Sequence, residues 1–258
     1  MTIRSEAVSA ALAGRTLVVT RPAAQAETLC ARIETLGARA LRFPVLAIGP
    51  APDRAGLDRI IDRLDDFDLA FFVSPNAVIH AMDAVRARRE WPAAVRVATV
   101  GKGSEKVLHS YGFTEVIAPE TGFDSEAVLA LPEFAAAAIR GQRVLILRGD
   151  GGRDLLGNSL RARGATVTWA TCYRRYCPDA DPAPLLDGVD ALLLTSSEGV
   201  GNLATMLGAS GMAQLRAVPV FASHARIAAR ARDEGFDIVV ETPPGDDGLL
   251  HALLRHFG

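Results

Sequence analysis

One series of motifs occurs twice in the sequence, and any fold of the chain must accommodate this repeat. Each copy contains an apolar strand segment, a helix ending in glycine, and a second strand followed by serine. The matching blocks are residues 14–21 (GRTLVVTR) with 141–148 (GQRVLILR), 68–78 with 190–200, 97–100 with 218–221, and 112–113 with 235–236. Matching blocks in one order at nearly one spacing indicate a duplicated βα module.

Each module alternates short apolar strands with amphipathic helices. The run Leu17–Thr20 is typical of a buried strand, and Pro22, Leu29 and Ile33 follow it at positions typical of a helix. Apolar strands joined by helices predict an α/β fold with a parallel sheet covered on both faces. Two extended stretches, at about residues 43–50 and 168–178, are expected to pair as a β connector.

Composition and missing motifs exclude several functional classes. A formal net charge of −2 gives no overall field that favours nucleic acid or an anionic membrane surface. The three cysteines form no C-x-x-C pair, so we expect reduced thiols in the cytoplasm and no metal site. We also expect no secretory signal and no membrane-spanning segment. Nucleotide-binding and metalloprotease motifs are missing, so no cofactor is predicted.

Polar loops follow the predicted strands, at the positions that line the ligand crevice of an open parallel sheet. Most carry serine, threonine or glycine at a helix start, where free backbone N–H groups and the helix dipole favour anions. Helix capping alone explains any single loop, but the whole set predicts a polycarboxylate or phosphate ligand. The candidate binding residues are Arg21, Ser74, Asn76, Gly101, Lys102, Ser104, Arg148, Gly149, Gly152, Arg153, Thr195, Ser196, Ser197, Gly199, Ser223, His224 and Arg226.

Taken in order, these loops resemble those of the uroporphyrinogen-III synthase family. The motifs are TRP (20–22), VSPNAV (73–78), VGKGS (100–104), LRGDGGRDLL (147–156), CYRR (172–175) and LTSSEGV (194–200). The resemblance implies two Rossmann-like (flavodoxin-like) domains, a two-stranded β connector and a substrate between the domains. It assigns residues 1–43 and 174–258 to one discontinuous domain and residues 47–171 to the other.

The resemblance also implies an activity. Members of this family close hydroxymethylbilane, a linear tetrapyrrole, with loss of water and inversion of ring D, giving uroporphyrinogen III for heme biosynthesis. Such an enzyme must steer a reactive intermediate, and a hundredfold preference needs only about 2.7 kcal/mol. Several positioning hydrogen bonds can supply that amount. We expect the chain to work as a monomer on this small-molecule substrate.

Individual residues match the family pattern to different degrees. Tyr173 matches a recurrent tyrosine of the family and is the predicted catalytic residue, hydrogen-bonding the departing hydroxyl or acting as a weak acid. A hinge tyrosine that packs between the domains is the alternative. Ser104 stands where the family often has threonine. The second copy departs from the pattern at Phe221 and His224, and His224 is expected either to donate to a substrate carboxylate or to cap a helix.

Two other functions stay open at this point. The chain fits a two-lobed ligand-binding protein without catalysis, which turnover of hydroxymethylbilane would exclude. It also fits a nucleotide-dependent transferase with two Rossmann domains, which would have to bind nucleotides. The fold alone does not separate these classes.

Overall fold

The computed structural model describes residues 11–258, which form two compact units. Unit 1 runs from the first described residue to Ala47 and from Tyr176 to Gly258, and unit 2 is Ile48–Arg175. Residues 1–10, which the sequence assigned to the first domain, lie outside the described residues. None of the helices in residues 11–258 combines the length and apolar character needed to cross a bilayer.

Unit 1 is a five-stranded parallel sheet with helices on both faces. Its elements are β1 (Thr16–Val19), α1 (Ala23–Thr35), β2 (Arg39–Arg42), α8 (Ala183–Leu186), β8 (Ala191–Leu194), α9 (Ser197–Leu215, kinked at Gly208), β9 (Val220–Ala222), α10 (Ala225–Asp233), β10 (Val239–Glu241) and α11 (Gly245–Phe257). Leu17 and Val19 pack with α1 and α11, whereas Val18 packs with α9 and α10. Because both faces are covered, the central strands β1, β8 and β9 are apolar apart from Thr16, whereas the edge strands β2 and β10 carry charged residues.

Unit 2 also contains a five-stranded sheet, in which β7, β6, β4 and β5 are parallel. Its elements are β3 (Ala47–Pro50), α2 (Arg54–Ile61), β4 (Leu69–Phe72), α3 (Pro75–Arg86), β5 (Arg96–Thr99), α4 (Lys102–Ser110), α5 (Ser125–Leu129), α6 (Ala136–Ile139), β6 (Arg143–Gly149), α7 (Leu155–Ala162) and β7 (Thr166–Tyr176), with 3-10 turns at Leu64–Asp66 and Pro132–Phe134. The strand order is β3-β7-β6-β4-β5, so the two extended stretches noted in the sequence are hydrogen-bonded neighbours. The predicted α/β fold with two parallel-dominated sheets is confirmed.

The duplication is visible in the arrangement of strands within each sheet, but equivalent strands do not follow one another in the same order along the chain. Unit 1 has the strand order β2-β1-β8-β9-β10, and unit 2 has β7-β6-β4-β5 with a parallel bridge from Ala98 to Ile117 in the fifth place. The pair β1-β2 precedes its sheet partners in the chain, whereas the equivalent pair β6-β7 follows them. The two sheets are therefore circular permutations of one arrangement.

Equivalent aspartates tie the central strands together in both units. Asp190 Oδ2 accepts a hydrogen bond from the Thr16 N–H at 2.7 Å, and Asp68 Oδ2 accepts one from the Arg143 N–H at 2.7 Å. Each carboxylate precedes one central strand and binds the first residues of the next. The repeat thus preserves a structural hydrogen bond as well as a hydrophobic pattern.

We predict that Asp190→Asn lowers the free energy of unfolding by about 1–2 kcal/mol at pH 7. Burial acts to raise the pKa of Asp190, but the Thr16 N–H and the Arg15 guanidinium outweigh it and hold the pKa below its usual range. This stability is present above the ordinary carboxyl pKa of about 4 and is lost as the pH falls through the lowered folded-state value. Urea titrations between pH 2 and pH 7 measure it. Asp233→Asn, at an exposed position of α10, is the control, and equal losses in both variants would contradict the prediction.

Candidate functional site

The strand orders place a ligand crevice at one end of each sheet. In an open α/β sheet, ligands bind beyond the carboxyl ends of the strands, where the strand order reverses and the neighbouring helices leave on opposite faces. This reversal lies between β1 and β8 in unit 1, and between β4 and β6 in unit 2. The loops that were predicted from the sequence to bind a ligand follow these four strands and their neighbours β5 and β9.

Two serines occupy equivalent places at these crevices. Ser74 is the N-cap of α3 and its Oγ accepts the Ala77 N–H at 3.1 Å, while Ser196 is the N-cap of α9 and accepts the Gly199 N–H at 2.9 Å. Both have extended backbone dihedrals, as an N-cap requires. The serine oxygens are thus engaged in capping. The first-turn N–H groups before the capped one have no acceptor within the helix, and in α3 that of Asn76 is the one such group because Pro75 has no N–H.

Tyr173 lies beside the serine of unit 2. Its hydroxyl is 3.2 Å from Ser74 Oγ, and either atom can be the donor. Only 6% of the residue is exposed, yet the pair sits at the carboxyl end of the sheet, where β7 runs beside β6. The phenol is therefore held at the strand ends that the sequence predicted for the ligand.

Two further residues fix the phenol ring. The His80 ring stacks on it, with centroids 5.8 Å apart and planes inclined by 23°. Burial lowers the pKa of His80 more than Asp83 raises it, so this imidazole is neutral at pH 7. On the neighbouring strand, a Cβ on Gly149 would lie 2.7 Å from Tyr173 Cζ, so glycine is needed for the ring to approach.

Arg148 organises the loop that follows β6. Its guanidinium pairs with Asp154 at 2.6 Å, donates to the Gly152 carbonyl at 2.9 Å and stacks over the Trp169 ring at 4.6 Å. The side chain is only 14% exposed. The structure therefore gives Arg148 the role of holding this loop, whose exposed tip includes Arg153, which pairs with Glu126 at 3.2 Å.

The start of α4 forms a shallow pocket of about 250 Å³. Its lining residues are Pro75, Val100, Gly101, Lys102, Gly103, Ser104 and Phe123. Lys102 Nζ lies 2.9 Å from Glu105 Oε2, and Ser104 is buried. Asn76 is the second residue of the neighbouring helix α3, so unit 2 brings together the candidates that follow β4 and β5.

Unit 1 gathers the remaining candidates at its own strand ends. Arg21, after β1, pairs with Asp246 of α11 at 2.6 Å. His224 is the N-cap of α10, and its Nδ1 accepts the Arg226 N–H at 3.3 Å, which is the capping alternative that the sequence left open. The other candidates of this unit occupy the starts of α9 and α10: Thr195, Ser196, Ser197, Gly199 and Ser223.

Most of the predicted basic residues already have a carboxylate partner. Arg21, Lys102 and Arg148 pair with Asp246, Glu105 and Asp154, and Arg153 pairs with Glu126. Their charges are therefore largely neutralised within each unit. Backbone N–H groups at the helix starts are then the main donors left for an anionic ligand.

The cysteines supply no further chemistry to these loops. Burial raises the pKa of Cys172 to about 12, and burial also raises the pKa values of Cys30 and Cys177. Thiols of this kind are poorly nucleophilic. Within residues 11–258, no group of three or more histidine, cysteine or acidic side chains is placed to hold a metal ion.

Comparison with known proteins decides the family. Residues 27–251 match the family model described as uroporphyrinogen-III synthase HemD. The chain belongs to the uroporphyrinogen-III synthase family. Similar proteins include the uroporphyrinogen-III synthases of Escherichia coli, 33% identical over 92% of this chain and 99% of the relative, and of Salmonella typhimurium, 35% identical over the same shares. The family that the loop motifs predicted is confirmed, and with it an enzyme of tetrapyrrole biosynthesis, a cyclising lyase.

Solved structures show the same fold. A uroporphyrinogen III synthase variant from the extremely thermophilic bacterium Thermus thermophilus matches with a TM-score of 0.59 and 18% identity, over 94% of this chain and 98% of that one. The uroporphyrinogen-III synthetase of Helicobacter pylori matches with a TM-score of 0.58 and 12% identity, over 94% and 99%. The fold is therefore retained where little sequence identity is left.

Three residues near the candidate site were not singled out from the sequence. They are His80 of helix α3, Phe123 and Trp169. The spacing of His80, six residues after Ser74, places it on the same helix as the cap but gives no sign of the Tyr173 contact. That contact joins residues far apart in the chain.

Proposed function

We propose that the enzyme converts hydroxymethylbilane to uroporphyrinogen III, using the strand-end loops to hold carboxylate arms and Tyr173 to assist loss of the hydroxyl. The observation that carries the proposal is the Tyr173–Ser74 pair at the carboxyl end of the unit 2 sheet. Departure of the hydroxyl as water leaves a reactive azafulvene. Attack by this group on the already substituted carbon of the terminal pyrrole, followed by fragmentation and reclosure, inverts ring D.

Backbone amides suit this substrate better than fixed charges. Most of the predicted basic residues of the loops are already paired with carboxylates, so the acetate and propionate arms of the substrate would bind the first-turn N–H groups. Neutral donors leave no uncompensated buried charge when the substrate is absent. Many such contacts along the flexible tetrapyrrole decide which carbon its reactive end reaches. The enzyme would therefore act mainly by positioning the substrate.

We infer that Tyr173 donates a hydrogen bond to the departing hydroxyl. Ser74 Oγ at 3.2 Å and the stacked His80 ring restrict the phenol to one position. When Ser74 is the donor of this pair, the phenol proton is left for the departing hydroxyl. The neutral imidazole stacks on the ring and leaves the hydroxyl edge to Ser74. In this arrangement the phenol assists a step that the substrate can also undergo without it.

We predict that Tyr173→Phe lowers kcat about fivefold without abolishing turnover, because one hydrogen bond contributes about 1 kcal/mol. The phenyl ring keeps the packing against His80 and Gly149, so the midpoint of thermal unfolding should change little. A steady-state assay with freshly generated hydroxymethylbilane measures the rate. Wild-type kcat in this variant would remove the catalytic role from Tyr173.

The product isomer tests the proposed function. Hydroxymethylbilane closes without enzyme to the type I isomer, so adding the protein should shift the product to type III. Chromatography of the oxidised porphyrins separates the two isomers. A ratio unchanged from that in buffer would refute the proposal.

We further propose that the enzyme works as a monomer in the cytoplasm. The cytoplasmic location is supported by the three unpaired cysteines, two of them buried, because unpaired cysteines are typical of a reducing compartment. Light scattering after size exclusion should give the mass of one 27.3 kDa chain. A mass of two chains or more would contradict the monomer.

A further inference from the structure

Phe123 is the most exposed large hydrophobic residue within residues 11–258, with 62% of its surface open to solvent. The backbone on both sides of it is fixed. Gly122 takes a left-handed φ of 71°, and Asp124 caps α5 by accepting the Ala127 N–H at 2.8 Å. An aromatic side chain held in the open on an ordered backbone forgoes the stabilisation that burial would give it.

Gly101 makes room for this ring. A Cβ on Gly101 would lie 2.6 Å from Phe123 Cδ1. The φ of Gly101 is 169°, which is extended backbone that any residue can adopt, so the turn itself does not require glycine. The close approach of the Phe123 ring requires it, and the ring thereby forms one wall of the pocket at the start of α4.

The pocket fits one ring better than a whole tetrapyrrole. Its volume of about 250 Å³ lies below the roughly 300–1,000 Å³ that encloses a drug-sized ligand. Phe123 supplies an aromatic wall, Pro75 an apolar one, and Lys102 with the first turn of α4 supplies donors. An aromatic ring that carries a carboxylate arm fits this lining, because the ring can pack on the two apolar walls while the carboxylate binds the donors.

We propose that Phe123 is a substrate-binding residue that stacks on one pyrrole ring of the tetrapyrrole. Offset stacking of two flat aromatic rings is favourable beyond the area it buries. The carboxylate arm of the same pyrrole reaches Lys102 and the first-turn N–H groups of α4. This inference rests on the proposed function. It adds a subsite for one pyrrole ring and names Phe123 as the residue that recognises the ring itself, not its carboxylate.

Steady-state kinetics on hydroxymethylbilane test the inference with four variants. Phe123→Ala should raise KM about tenfold, or about 1.4 kcal/mol, with kcat and the type III fraction at saturation within about twofold of wild type. Phe123→Leu, which keeps an apolar side chain but loses the aromatic face, should raise KM nearly as much. Phe123→Trp should keep KM near the wild-type value. Ile238→Ala, at an exposed apolar position of unit 1, is the matched control and should leave KM unchanged.

The outcomes separate the inference from the function on which it rests. A wild-type enzyme without type III activity would refute both. An active wild type whose Phe123→Ala variant keeps its KM, or a Phe123→Leu variant with wild-type KM, refutes the role of Phe123 alone. If Phe123→Ala unfolds at a lower temperature, the comparison of Phe123→Leu with Phe123→Trp in folded protein still decides, because both retain a large side chain.

Discussion

Gly149→Ala will lower kcat about fivefold, as much as Tyr173→Phe, because each change removes the hydrogen bond from the phenol to the departing hydroxyl. The added Cβ would lie 2.7 Å from Tyr173 Cζ and 3.0 Å from its hydroxyl, so the ring must move away from Ser74. The ring has little room to do so because it is buried and stacked on His80. The displaced phenol then loses the hydrogen bond that the proposed function assigns to it, which contributes about 1 kcal/mol. Overpacking should also lower the free energy of unfolding by about 1–3 kcal/mol.

A double-mutant cycle shows whether the loss comes from this one contact. In a Tyr173→Ala background the clash is removed, so adding Gly149→Ala should cost less than about 0.5 kcal/mol of stability. Gly151→Ala, in the same loop with open space around its Cβ position, is the stability control. The same loss of stability from Gly149→Ala in both backgrounds would mean that Tyr173 is not the residue displaced.

Gly157→Ala is expected to be the more destabilising of the two glycine substitutions, lowering the free energy of unfolding by about 1–3 kcal/mol or more. The new methyl group would overlap the Trp169 ring where α7 packs on β7. The higher helix propensity of alanine offsets at most about 1 kcal/mol of this loss in the free energy of unfolding. Because Arg148 stacks on that indole, moving Trp169 also moves the loop after β6, so KM for hydroxymethylbilane should rise.

Urea unfolding and steady-state kinetics measure these two effects. Asn158→Ala, an exposed change on the next residue of α7, should leave both stability and KM near wild type. Trp169→Leu should relieve most of the cost of Gly157→Ala when the two changes are combined. A Gly157→Ala variant as stable as the Asn158→Ala control would contradict the prediction.

Local sequence patterns were enough to predict the fold. Apolar runs such as Leu17–Val19 and Ala191–Leu194 have the length and flanking polar residues of buried parallel strands, and both lie in the sheet of unit 1. The repeat of Asp68 and Asp190 before equivalent strands indicated the duplication. The chain order of the strands within each sheet was not predictable from pattern, because strand pairing depends on contacts far apart in sequence.

The candidate site was predictable only in part. Serines at strand ends indicated helix caps, and Ser74 and Ser196 are caps because an N-cap is set by a few neighbouring residues. The partners of Arg148 and Arg21 were not foreseen, since an ion pair such as Arg21–Asp246 joins distant segments. The requirement for glycine at 149 and 157 was also hidden, because it arises from aromatic rings on another strand and not from the backbone conformation.

We propose that amide hydrogens at the carboxyl ends of both sheets hold the carboxylate arms. Amide chemical-shift mapping of ¹⁵N-labelled enzyme with uroporphyrinogen III, kept reduced, tests this binding mode. The largest shifts are expected at helix starts of both units, among them Asn76, Lys102, Gly103 and Ser197. Shifts concentrated instead at the cavity of about 1360 Å³ beside Trp91 and Tyr111 would contradict it.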